Sequence, residues 1–165
     1  MLEQEIASLM RFIIEKAGNP APYYDEVSEG FLLPAIYFPS PEIESDGDTL
    51  QTYVLTYTWF INIFHVDKPS AHGAALSVLN GIRKARNLIP LIDSAGNMTD
   101  DGFRIKDPSV KILDLSHAAA QLSITWNSIR PYADVDIEQP KTTGYSLNMI
   151  TKKAFQTALT DRRIL

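Results

Sequence analysis

The chain has no cysteine among its 165 residues. Disulfides, thiolate nucleophiles and cysteine-ligated zinc are therefore excluded, and the composition suits a reducing compartment such as the cytosol. No run approaches 18 consecutive apolar residues, so no membrane-spanning helix is expected. Basic residues are outnumbered, 15 Lys and Arg against 20 Asp and Glu, for a net charge of −5. That balance argues against a surface built mainly to hold nucleic acid, though a channel that nucleic acid slides through remains compatible. The acidic start Met1-Leu2-Glu3-Gln4-Glu5 lacks the basic region of a signal peptide. Neither phosphate-binding pattern, Gly-x-x-x-x-Gly-Lys-Ser/Thr or Gly-x-Gly-x-x-Gly, occurs, and there is no Gly-x-Ser-x-Gly elbow.

What the chain does have is alternation. Between Thr49 and Val66, Tyr53, Leu55, Tyr57, Trp59, Ile61 and Ile63 share one parity, while Thr52, Thr56, Thr58 and Asn62 share the other. Between Ala118 and Arg130, Ala118, Ala120, Leu122, Ile124 and Trp126 alternate with Ala119, Gln121, Ser123, Thr125 and Asn127. A period of two marks a β-strand. The first segment would span about 60 Å, whereas globular strands usually run about 3–10 residues. It must therefore bend at a bulge or project as an arm toward another subunit. Phe60 and Phe64, apolar on the parity opposite to Tyr57 and Trp59, point the same way, because a strand greasy on both faces is buried twice or paired against a neighbour.

The remaining elements follow from spacing. Leu2, Ile6, Leu9, Ile13 and Ala17 form a helical stripe that Gly18 and Pro20 terminate. Asn19 to Gly30 reads as a loop, and Phe31 to Phe38 as a short strand that Pro34 confines to a sheet edge or a bulge. Pro39 to Asp48 reads as an acidic turn, so that Glu42, Glu44, Asp46 and Asp48 sit on the connection of a long β-hairpin. Ser70 is expected to cap a second helix with the stripe Ala71, Ala75, Val78, Leu79, Ile82 and Ala85, ended by Pro90. Ile92 to Asp101 is turn-rich, with strand pieces at Gly102–Ile105 and Val110–Leu115. Pro131 to Tyr145 reads as an extended connector, followed by a short helix near Lys152–Leu159. The order predicts an α+β fold. It has a mainly antiparallel or mixed sheet, both helices on one face, and a long protruding hairpin. A single domain over 1–165 is expected, with a compact core of about 1–130 and an extended segment over about 131–165.

The candidate chemistry is thin. His65, His72 and His117 include no i, i+4 pair on a helix, and Asp67 and Asp114 would be needed to complete a mixed metal site. Asp114, Ser116 and His117 supply the residue types of a hydrolase triad, but neighbours on one strand alternate faces and cannot line up. Glu42, Glu44, Asp46 and Gly47 imitate the first half of a calcium loop, yet the twelfth position is Tyr53 where a bidentate glutamate is required. Arg83, Lys84 and Arg86, with Lys106 and Lys111, offer a basic patch that suits a helix C-terminus as well as an acidic partner. No catalytic residue, cofactor site or metal site is assigned.

The run Asp114-Leu-Ser-His-Ala-Ala-Ala-Gln-Leu-Ser-Ile-Thr-Trp126 resembles the tail terminator (tail completion, head-tail joining) proteins of long-tailed bacteriophages and prophages. So does the order of helix, long hairpin, alanine-rich helix and closing strands. The resemblance implies a non-enzymatic virion protein that forms a homohexameric ring on the head-proximal end of the tail tube. Its partners would be itself, the major tail tube protein and the head-tail connector, with DNA only as cargo in the lumen and no membrane. Trp59, Phe60, Phe64, Tyr145 and Phe155 are the expected subunit contacts. Glu42, Glu44, Asp46 and Asp48 would face tube, connector or lumen. Two other readings stay open: a different neck ring such as a head completion protein, and a small-ligand-binding or hydrolytic α+β domain.

Overall fold

Helix α1 (Leu2–Lys16) forms where the apolar stripe predicts it and buries Leu9 and Ile13 completely. Gly18 (φ +89°) and Asn19 (φ 56°) turn the chain out of it. Their N–H groups return to the carbonyls of Glu15 and Ile14, which satisfies the helix end. The computed structural model describes residues 2–24, 30, 32–114 and 118–132.

Helix α2 (Lys68–Lys84) buries Ala71, Ala75, Val78 and Ile82. Its N-cap is Asp67 in place of the expected Ser70: the extended Asp67 (φ −143°, ψ 161°) accepts the N–H of Ser70 at 2.7 Å, and Pro69 fits the first turn. Its far end comes earlier than Pro90 suggests. Arg86 (φ 55°) and Asn87 (φ 61°) turn the chain in the left-handed region, and Pro90 lies inside a strand. The hydrogen bond from Ser70 holds the Asp67 carboxyl below its ordinary range. A carboxylate with a lowered folded pKa stabilises above its unfolded pKa and loses that contribution as pH falls through the folded value. Asp67→Ala is accordingly expected to lower the melting temperature at neutral pH and to make no difference in strong acid. Thermal unfolding of both proteins across that range checks it.

Among the described residues, seven strands form one sheet: β1 (Ala21–Tyr24), β2 (Ala35–Phe38), β3 (Glu42–Gly47), β4 (Thr52–Phe64), β5 (Leu88–Ile92), β6 (Met98–Asp114) and β7 (Ala118–Pro131). The order is β1-β2-β4-β7-β6-β5, with β3 paired to β4. Only β1 and β2 are parallel, so the sheet is mixed and the fold is α+β. β7 accompanies β4 from Thr52 to Phe64, so β2 (at Asn62 to Phe64) and β3 (at Tyr53 to Thr58) share its opposite edge. The long strand is thus a central strand paired along its whole length, because two long alternating segments satisfy each other's backbone groups.

Several local expectations are corrected by the pairing. β1 lies inside the expected loop. β2 begins after Pro34 and is internal, since the proline precedes the ladder. The acidic turn is the strand β3, leaving only Asp48 to Gln51 as the connection. The two strand pieces around Asp107-Pro108 are one strand with a bulge between Lys106 and Ser109, where Asp107 has φ 44°.

One parity of the sheet is the core. Ile36, Phe38, Tyr57, Trp59, Ile61, Ile63, Phe103, Ile105, Ala120, Leu122, Ile124 and Trp126 pack together with the buried faces of both helices. An aromatic row crosses five strands, running from the exposed Tyr24 at the edge into this core. Tyr24 stacks on Phe38 at 5.9 Å, Phe38 meets Trp59 at 5.6 Å, and Trp59 meets Trp126 at 6.1 Å. Trp126 in turn stacks on Tyr57 at 4.8 Å and meets Phe103 at 5.9 Å.

Candidate functional site

The opposite parity of the sheet carries no such core. Register sets Thr56 beside Asn127, Thr58 beside Thr125, Phe60 beside Ser123 and Asn62 beside Gln121. Thr56 Oγ1 donates to Asn127 Oδ1 at 3.4 Å and Gln121 Nε2 to Asn62 Oδ1 at 3.1 Å. The result is a half-exposed ladder of short uncharged polar side chains, with Phe60 (37% exposed), Phe64 and the Val54–Ile129 pair set into it. Hydrogen-bonding side chains without formal charge hold neither polyanion nor polycation strongly.

Besides the outer sides of the terminal strands β1 and β5, two stretches of backbone at the margins of this face have no paired strand among the described residues. One is the outer side of β3, all of whose residues are exposed. Glu42, Glu44 and Asp46 lie opposite Thr58, Thr56 and Val54, so all three stand on the polar face. The other is the outer side of β6 from Ser109 to Asp114, beyond the residues that pair with β5. There Lys111, opposite Gln121, stands exposed on the same polar face, as does Lys106, opposite Thr125, just before the bulge. Open strand edges invite pairing with another strand unless charge or shape prevents it.

The residues singled out from the sequence divide. Trp59 is corrected out of the contact set: it is 1% exposed, packs between Phe38 and Trp126, and donates Nε1–H to the Pro39 carbonyl. Its parity is the core parity, so the aromatic alternation reports the subunit interior. Phe60 and Phe64 lie on the polar face, and Tyr145 and Phe155 fall outside the described residues. Asp46 and Asp48 serve the local turn, Asp46 accepting the Gly47 N–H at 2.8 Å and Asp48 the Thr52 hydroxyl at 2.9 Å.

The calcium-loop pattern is undone by geometry, since alternate side chains of a strand do not converge on one ion. Among the described residues, no three His, Asp or Glu side chains come together as a metal site. Ser116 and His117 of the triad pattern, and the third histidine of the metal pattern, lie outside the described residues. The basic residues separate into Arg83, Lys84 and Arg86 around the end of α2 and Lys106 and Lys111 on β6. The concavities on the described surface include grooves along α1, one lined by Met10, Arg11, Ile14 and Tyr24, another by Phe12, Lys16, Asn80 and Lys84.

One cluster went unread in the sequence. Glu5, only 5% exposed, accepts Trp126 Nε1–H at 3.0 Å and Ser128 Oγ–H at 2.8 Å. The buried Tyr57 hydroxyl and the Arg130 guanidinium stand nearby and interact with each other. Burial, more than any neighbour, raises the Tyr57 phenol above its usual range. On a helical stripe Glu5 looks like a first-turn acid facing solvent. Only the strand register shows that Trp126 and Ser128 lie beneath it.

No protein-family model matches the chain. It is 31% identical over 147 residues to the phage-like element PBSX protein XkdJ of Bacillus subtilis (strain 168), covering 89% of this chain and 97% of that protein. It is 28% identical over 127 residues to the protein YqbJ of the same organism, covering 77% of this chain and 85% of that protein. Among solved structures, a chain of the virion of a native gene transfer agent particle aligns with a TM-score of 0.44 at 11% identity, over 76% of this chain and 93% of that one.

Proposed function

Since the chain belongs to the family of the phage-like element PBSX protein XkdJ, we propose that it is a structural protein of the phage neck and tail. In this reading it closes the head-proximal end of the tail tube as a ring and then offers a surface to the head connector. The observation that carries the reading is the pair of open strand edges flanking one polar sheet face, which presents acidic side chains from β3 and Lys111 from β6. Dissimilar edges on one subunit suit head-to-tail contacts, and head-to-tail contacts close into rings when the rotation between neighbours divides a full turn, about 60° for six copies. The uncharged ladder of Thr56, Thr58, Asn62, Gln121, Ser123 and Thr125 suits a lumen through which DNA passes without sticking.

Termination in this reading is geometric and requires no bond-making step. One face of the ring matches the last ring of tube protein, and the other face differs and cannot template a further tube subunit. A neck ring with a different partner, such as a head completion protein, has the same architecture and differs in what it touches. The small-ligand reading would need converging polar groups in a pocket, and activity lost on replacing His117 would favour it.

The deciding experiment removes the gene from an element that makes tails and examines the particles by electron microscopy. Tails of uncontrolled length that lack heads are the expected result, restored by the wild-type chain in trans. Normal-length tails without heads would reassign the protein to the connector side. Intact, head-bearing particles would overturn the structural role.

A further inference from the structure

The two open edges have opposite strand directions. β3 and β7 both run against β4, and β6 runs against β7, so β6 runs against β3. A rotation of about 60° between neighbours, as for six copies, is too small to reverse a strand's direction. It therefore brings the β6 edge of one subunit to the β3 edge of the next as an antiparallel pair, the favoured ladder.

We propose that subunits of this protein join by pairing β3 of one copy with Ser109–Asp114 of β6 in its neighbour, in the register that sets Glu44 opposite Lys111. The inference rests on the ring reading above and adds the joint and its register. Three features select that register. Glu44 and Lys111 both stand on the polar face, so opposite charges meet directly across the new ladder. One step along, Ile43 (50% exposed) falls opposite Ile112 (47% exposed), both on the helix side, so two apolar side chains that water now touches cover each other. Asp46 falls opposite Ser109, and beyond it the bulge brings Lys106 toward the Asp46–Gly47 end.

The stagger of the edges is compatible with closure. Glu44 lies level with Asn127 of β7 and Lys111 with Gln121, a step of six residues across four strands. With about 3.3 Å along and about 4.7 Å between strands, that step tilts the strands by about 45° to the ring axis, which is within the range of closed sheets. Like-edge pairing fails on charge, because a two-fold joint would set Glu42, Glu44 and Asp46 against their own copies and a β6 joint would set lysine against lysine. Charge thus selects the head-to-tail joint over a dimer. It also moves the acidic residues from the tube, connector or lumen face to the contact between subunits.

The absence of native cysteine makes the test direct. The full chain carrying I43C and I112C together, and each change alone, is oxidised at low salt and compared with the wild type by light scattering. Expected are a species near the mass of six 18.5 kDa chains, covalent ladders from the double variant, no cross-link within either single variant, and dimers from a mixture of the two. In parallel, E44K and K111E are each expected to raise the concentration needed for assembly by about tenfold or more, and E44K/K111E to restore it. Circular dichroism confirms that each variant folds. An oligomer that forms without these cross-links, or that cross-links within a single variant, overturns the joint and leaves the ring reading intact. A strict monomer at millimolar concentration also overturns the joint, and the ring reading is then decided separately by the tail-length experiment.

Discussion

Replacing Trp126 with alanine is expected to remove about 3–5 kcal/mol of folding stability. Small domains have only about 5–15 kcal/mol in all, so the variant should populate unfolded or aggregated chain near physiological temperature. The effect is large because Trp126 is the hub of the aromatic row: it stacks on Tyr57 at 4.8 Å and is tilted against Trp59 and Phe103. It is also fully buried on the central pair of strands, opposite both Tyr57 and Ile105, where a rigid sheet cannot collapse into the vacancy. Trp126→Phe retains much of the contact area but abandons the bond to Glu5, and should fall between the two. Urea unfolding of the three proteins checks the order. An alanine variant as stable as wild type would mean that the hub does not exist as described.

The second large effect is expected at Glu5. Hydrogen bonds to a charged acceptor contribute about 1.5–3 kcal/mol, and stranding a buried donor has its own cost. Glu5→Ala removes the acceptor of both the Trp126 indole and the Ser128 hydroxyl, so a loss of about 3 kcal/mol is expected. Ser128→Ala removes one donor and leaves the indole satisfied, so about 1 kcal/mol is expected. Denaturant midpoints measure both, and a shift in Trp126 emission reports the indole losing its partner. Equal effects from the two substitutions would show that the indole bond contributes nothing. Since Glu5 ties the first turn of α1 to β7, its loss should also loosen the N-terminus in hydrogen exchange before the sheet opens.

Membership in a phage-element family and the α+β class were within reach of the sequence, each for a local reason. The alternation in β4 and β7 follows from the two-residue pleat, and the stripes of α1 and α2 follow from the helical turn. Both patterns are read without knowing what covers them. Ser70 against Asp67 shows the limit even there, since both residues can cap and only the extended backbone at Asp67 decides. Trp59 and Phe60 show it more sharply. Adjacent in sequence and both aromatic, they belong to opposite faces of one sheet, and nothing local says which face the helices cover. The same applies to Glu42 through Asp46, whose composition suits a turn but whose backbone pairs with β4.

By itself, then, the sequence determined the elements whose periodicity is long, the absence of cysteine chemistry, and the family to which the chain belongs. Tertiary structure alone decided three further matters. It set which parity became core, buried Glu5 against residues far along the chain, and left one edge of β3 and of part of β6 without a partner strand among the described residues while giving β4 partners on both sides. Strand partnership is long-range: an exposed edge and a central strand can share one alternating pattern, and they differ only in which backbone groups find a neighbour after the chain has folded.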